Sequence, residues 1–238
     1  MGLWIIAALC AFFVKGLCGF ANTLIFTTML SFGSSNANIS PAELILSYPT
    51  NAILAWKERK FICWRIVLPL TVCMLLGNIP GVLFLKNADA GAVKLAFGVL
   101  IVLLGAEMLL RERTSRKKEL PKLAGMVTAI LSGLLCGLYG IGALLGAYMA
   151  RITEDSRSFR GNLCFVFFAE NTFRVILYAV GGLLTAESLR QAFLLYPFML
   201  TGLFLGMGSS RFLKEEIVKT IVIVMLIVSG IALIINSL

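Results

Sequence analysis

Eight runs of apolar residues dominate this chain, at about 3 to 32, 39 to 56, 64 to 85, 92 to 110, 123 to 150, 159 to 182, 191 to 210 and 217 to 236. Only short polar connections separate them. Six runs have close to the roughly 20 residues that an α-helix needs to cross a hydrocarbon core of roughly 30 Å. Such a pattern has too little polar sequence to coat a soluble core: 59% of the residues are hydrophobic, 14% are charged, and the mean hydropathy is +0.95. Lipid must cover the rest. Soluble enzymes, disordered tails and disulfide-stapled secreted folds are excluded on that ground. Cysteines at 10, 18, 63, 73, 136 and 164 form no C-x-x-C pair, and the chain has no histidine. Neither a histidine metal site nor a histidine proton relay is therefore expected, and no cofactor. The opening Met1-Gly2-Leu3-Trp4 lacks the basic region of a secretory signal, so the first run is expected to stay in the mature protein.

The first and fifth runs are too long. As straight helices they would measure roughly 45 and 42 Å, so they must tilt, protrude or break. Both carry glycines at their middle, Gly16 and Gly19 in one and Gly133, Gly137, Gly140 and Gly142 in the other. Glycine at those points predicts breaks, each giving two half-helices of about 10 to 15 residues that enter and leave the membrane on one side. The returning halves are expected to begin near Phe20 and Ile141.

The two halves of the chain repeat. Gly16-x-x-Gly19 matches Gly137-x-x-Gly140, and Phe84-Leu85-Lys86 recurs as Phe212-Leu213-Lys214. Val93-Lys94 with Gly105 recurs as Val218-Lys219 with Gly230. Asn51 and Asn171 follow the last glycine of each pair at nearly the same distance. The common order predicts a duplicated unit, residues 1–116 and 117–238, each with four hydrophobic segments.

Charge counting separates two topologies. Eight full spans would divide the loop cations eleven against eight, a poor bias. With the first and fifth segments re-entrant, sixteen lie on one face and three on the other, which makes the basic face cytoplasmic and puts both termini outside. Three spanning helices per half is an odd number, so the halves insert upside down relative to each other. The expected fold is an all-α integral membrane protein of two inverted repeats, each a re-entrant broken helix plus three transmembrane helices.

Two of the 21 Lys and Arg fall in no loop, Lys15 and Arg174. A cation at membrane depth costs at least roughly 2.5 to 3.5 kcal/mol, so each marks a candidate site. Lys15 immediately precedes the first break. Arg174 lies one helical turn after Glu170 and three residues after Asn171, so it either faces a substrate or only pairs with Glu170. Glu170 is also a candidate coupling residue. The returning half-helices begin with unpaired N–H groups and the positive ends of their dipoles. With Lys15 and Arg174 they predict an electropositive pocket, which favours an anion over a cation. Asn22, Asn51 and Asn171 can donate to an oxyanion without charge, and Gly19, Gly140 and Gly142 would let backbone approach it. Cys18 and Cys136 lie close to the breaks. Glu43, Glu107 and Glu187 lie at segment ends and are read as interfacial, as are Trp4, Trp56 and Trp64. Pro49-Thr50-Asn51 is read as an interruption of the second segment.

These residues resemble a known family. Gly133-x-x-x-Gly137-x-x-Gly140-x-Gly142, Phe168-Ala169-Glu170-Asn171 ahead of Gly181-Gly182, and Thr50-Asn51 before the basic loop look like the TauE/SafE-type sulfite exporters, over nearly the whole chain. The resemblance implies a carrier of sulfite, organosulfonates or related small anions in a bacterial inner membrane. The first repeat departs from the pattern: where the family has a run of glycines and a following proline, this chain reads Gly19-Phe20-Ala21-Asn22 and has Thr27-Thr28.

The expected function is export of a small sulfur-containing anion by alternating access, with no catalytic chemistry. A small anion and the lipid bilayer are the expected partners, nucleic acid is not, and a homodimer is compatible with the sequence. The alternatives are a cation or metal carrier, a membrane enzyme, and a non-transporting assembly subunit.

Overall fold

The structure is a computed structural model that describes residues 1–30, 36–87, 122–140, 142–153 and 155–210, with scattered positions between 95 and 109 and between 220 and 235. Phe212-Leu213-Lys214, Val93-Lys94, Gly105, Val218-Lys219, Glu107, Ile141 and the basic run from Arg111 to Lys118 lie outside the described residues. All regular structure among the described residues is helical: α1 (Gly2–Cys18), α2 (Asn22–Leu30), α3 (Asn36–Lys57), a 3-10 turn (Arg59–Phe61), α4 (Trp64–Asn87), α5 (Lys122–Tyr139), α6 (Ala143–Ile152), α7 (Ser156–Val180) and α8 (Ala186–Ser209). The described positions of the fourth and eighth runs are helical too. Three of these helices are long and apolar enough to cross a membrane: Trp64–Leu83, Ser156–Val180 and Ala186–Ser209. On α4, Leu68, Val72, Leu76, Ile79 and Leu83 are exposed at helical spacing, an apolar stripe suited to lipid.

The ends of the long helices follow local chemistry. Asp155 caps α7 by accepting from the Ser158 and Arg157 backbone N–H groups, each at 2.9 Å. The Ser158 amide holds its carboxyl below the usual carboxylate range. Thr185 and Ser188 form a reciprocal capping box at the start of α8.

Both long runs are broken, but at fewer glycines than expected. Gly19 has φ +90 and Gly140 φ +72, the left-handed conformation that ends a helix at little cost only in glycine. Gly16, Gly133 and Gly137 lie inside helices. The arms are unequal, 17 and 9 residues in the first run and 18 and 10 in the second. The outgoing arms therefore measure about 25 to 27 Å and the returning arms about 14 to 15 Å. Each returning arm folds back on its partner. Trp4 at the start of α1 meets Phe26 of α2 edge-on at 5.7 Å, and the Tyr148 phenol of α6 lies against Gly125 near the start of α5. Trp4 is consequently buried, not interfacial, because α2 covers it; Trp56 and Trp64 are exposed as expected.

The in-helix glycines serve contact between backbones. A Cβ on Gly133 would run into the carbonyl oxygen of Met74, and one on Gly77 into that of Ile130, so α4 and α5 touch main chain to main chain. Gly16, Gly202 and Gly206 do the same between α1 and α8. Close approach of this kind is how helices gain dispersion contact in lipid, where no hydrophobic drive is left between them. Gly133→Ala should destabilise the protein by about 1 to 3 kcal/mol, because the helices must separate. Gly208→Ala, whose Cβ would meet nothing within 4 Å, is the control, and thermal unfolding in detergent reads both.

α3 and α7 run antiparallel through the centre. Their contacts pair Glu58 with Arg160, Tyr48 with Phe168 and Thr172, Glu43 with Arg174, and Ser40 with Tyr178, so one number falls as the other rises. Pro49 does not interrupt α3. A proline there removes the N–H that would bond the Ile45 carbonyl, and the Tyr196 hydroxyl of α8 donates to that carbonyl at 3.2 Å instead.

Candidate functional site

The two breaks, α3 and α7 converge on a small cavity. Lys15, Asn22, Asn51, Gly140, Gly142, Glu170, Asn171 and Arg174 all line it, so the sequence-derived candidates come together with one exception. Gly19 lies outside: a Cβ there would meet the Arg160 stem, and its carbonyl accepts from Cys164 Sγ at 3.2 Å.

α2 and α6 both begin on this cavity, and neither start has a polar side-chain cap. Ala21 precedes α2 and Gly142 caps α6. A helix start leaves N–H groups without an intrahelical partner, and two such starts adjoin this cavity, a common setting for an anion. Ala21 holds φ +71, a left-handed conformation rare outside glycine. Ala21→Gly should stabilise the protein by about 1 kcal/mol, read as a raised thermal midpoint in detergent.

Arg174 is 1% exposed and held on every side. Nη1 donates to the Cys136 carbonyl at 2.7 Å and Nη2 to Asn171 Oδ1 at 3.1 Å. Nε lies 3.2 Å from Glu170 Oε1, and Nη2 lies 3.8 Å from Glu43 Oε2. Glu170 in turn accepts a short hydrogen bond from Asn78. Gly140 has no side chain because Arg174, Glu43 and Thr23 already fill that space.

Glu43 corrects the expectation of an interfacial carboxylate. It is fully buried, and its Oε1 accepts from Asn22 at 2.7 Å, from Thr23 at 2.6 Å and from Ser47. The signal was present in the sequence, since Glu43, Ser47 and Thr50-Asn51 fall at helical spacing on one face of an apolar run. Asn78, deep in the fourth helix, was likewise legible as a polar interruption. Glu187 is exposed in the first turn of α8, as an interfacial residue would be.

With Glu43 counted, two buried cations face two buried carboxylates, so the site is not electropositive by tally. What distinguishes its groups is how they are partnered. Lys15 is 1% exposed, and among the described residues its ammonium makes no hydrogen bond or ion pair; the Phe12 ring lies 5.8 Å away. Asn171 Nδ2 and Asn51 Oδ1 are also buried without a partner. Cys18 spends its thiol on the Val14 and Phe20 carbonyls, whereas Cys136 lines the cavity. No group of three or more Cys, Asp or Glu that could hold a metal occurs among the described residues.

No curated protein and no solved structure matches the chain. A family model does: the one described as Sulfite exporter TauE/SafE matches residues 4–233. The match covers nearly the whole chain, so this multi-pass membrane protein belongs to the TauE/SafE sulfite exporter family, a family of membrane transporters of sulfur anions.

Proposed function

We propose that the protein exports a small sulfur oxyanion, sulfite or an organosulfonate, across the inner membrane by alternating access. The observation that carries this reading is the Lys15 ammonium, buried at the cavity without an ion pair or hydrogen bond among the described residues. An unpaired buried cation is costly, and an anionic ligand offsets that cost. Asn171 Nδ2 and the N–H groups opening α2 and α6 complete a set of donors around one small anion. Gly140 and Gly142 let the second break approach it, and Asn22 and Asn51 frame it. Arg174 and Glu170 hold Asn171 and the tip of the second hairpin in place. Both carboxylates already lie within ion-pair distance of Arg174, which favours an anion over the cation alternative.

The inverted duplication, residues 1–116 and 117–238, finds support in the packing. Exchanging α1 with α5, α3 with α7 and α4 with α8 turns the α1–α8 contact into α5–α4 and returns the antiparallel α3–α7 pair to itself. Eight full spans would make α3 and α7 parallel, so their antiparallel crossing favours two re-entrant hairpins, with the basic loops cytoplasmic and both termini outside. A phosphatase reporter fused after Leu238 should be active and a cytoplasm-only fluorescent reporter dark; the reverse pattern returns the topology to eight spans. An inside-negative potential favours anion exit by roughly 2.3 kcal/mol per charge per 100 mV.

Flux in liposomes tests the function. Sulfite, thiosulfate and sulfoacetate should be compared with a carboxylate control. Saturable flux of at least one sulfur anion above the control is expected, and equal leakage of all four abandons the carrier reading.

A further inference from the structure

Two contacts fasten α3 and Glu58, the residue that follows it, to α7, one on either side of the cavity. The cavity-lining residues of α3 are Ser47 and Asn51, and those of α7 run from Phe167 to Arg174 with Asn171 among them. Seven residues beyond Asn51 is Glu58, and seven before Phe167 is its partner Arg160, with 3.5 Å between Nη2 and Oε1. Seven residues before Ser47 is Ser40, and four beyond Arg174 is its partner Tyr178, with 2.9 Å between the hydroxyls. Four to seven residues are one to two helical turns, about 6 to 10 Å, so α3 and α7 are fastened once above the cavity and once below it.

Each fastening also grips a hairpin. Arg160 Nη1 donates to the carbonyl of Leu17, in the last turn of α1, at 3.4 Å. The Tyr178 hydroxyl donates to the carbonyl of Gly137, in the last turn of α5, at 3.2 Å. These carbonyls precede the breaks at Gly19 and Gly140 and belong to the set that a helix end leaves without an intrahelical partner. The Arg160 stem packs under Gly19 itself. Tyr178 and Ser40 are fully or almost fully buried, whereas the Arg160 and Glu58 side chains keep 15% and 8% exposure. One fastening is thus ionic and partly wet, the other neutral and dry.

We propose that Glu58–Arg160 and Ser40–Tyr178 are the two gates of the transport path, the ionic one closing the side of the basic loops and the neutral one closing the opposite side. This rests on the transport reading above. Releasing either one frees α3 from α7 at that end, together with the hairpin tip that the same side chain holds, and so exposes the cavity to one face only. In this structure both are made.

Cys136 lines the cavity and reports its exposure. In a background where Cys10, Cys18, Cys63 and Cys73 are alanine and Cys164 is serine, Cys136 is labelled with a membrane-impermeant sulfonated thiol reagent in vesicles of either orientation. Glu58→Gln with Arg160→Met should raise labelling about tenfold from the basic-loop face and leave the other face unchanged. Glu58→Gln alone should give a smaller rise in the same direction. Tyr178→Phe should raise labelling about fivefold from the opposite face, on the scale of one lost hydrogen bond. Labelling unchanged in every variant, or raised from both faces at once, overturns the proposal. The readout needs no substrate. Side-specific labelling without sulfite flux would sink the substrate reading and leave the gates, whereas flux with labelling blind to side would sink the gates alone.

Discussion

Lys15→Met should weaken sulfite binding by about 100-fold, the scale of losing a charge-assisted contact inside a desolvated site. The stem of the side chain stays and the charge goes. Because the ammonium is buried with no hydrogen bond or ion pair among the described residues, its removal takes away a desolvation cost and should leave the thermal midpoint equal or higher. The two effects in opposite directions mark a ligand-binding charge. A structural lysine would show the reverse, lost stability with transport intact among the molecules that remain folded. Affinity is read by titration calorimetry on purified protein and stability by thermal unfolding with and without sulfite. Unchanged affinity in Lys15→Met would move the anion away from α1 altogether.

Arg174 should behave in the opposite way. Arg174→Gln strands Glu170 and Glu43 without their shared cation, and breaking a buried pair from one side costs about 3 to 5 kcal/mol. Adding Glu170→Gln should recover most of that loss, since Glu43 keeps its three hydrogen-bond donors and Lys15 balances its charge. In the double variant sulfite affinity should fall less than tenfold, because Nη1 and Nη2 of Arg174 already donate to protein oxygens and Nε lies 3.2 Å from Glu170. Should Arg174 instead contact the anion, the Glu170→Gln background would show the affinity order Arg > Lys > Gln at position 174, since an ammonium keeps the charge without the planar fork. A hundredfold loss in the double variant at native stability would hand the anion to Arg174.

Other features of the sequence had two readings that local pattern could not separate. Glycines mark both a turn with positive φ and a surface where two helices touch, and only a neighbour tells which. Gly19 and Gly140 turn the chain, whereas Gly16 and Gly133 lie against the backbones of α8 and α4. A proline in a spanning run reads as a break until a donor for the freed carbonyl is in view; Tyr196 is that donor for Pro49, from 147 positions further along the chain. Glu43 looked interfacial by its distance from the segment end, and became central because α2 folds back and brings Asn22 and Thr23 onto it.

The sequence alone determined that this chain lives in lipid, which two of its runs are broken, and that Lys15 and Arg174 are too polar for their depth. Each of those follows from transfer energies and backbone sterics that act over a few residues. Partnership was decided by tertiary structure. Lys15, Arg174, Glu43 and Glu170 come from four different helices or helix turns, and composition counts them as two charges against two. Only the packing shows three of them bound to one another and the fourth left facing a cavity, because a charge's free energy in a low-dielectric interior depends on what lies within a few ångströms of it, whatever its position along the chain.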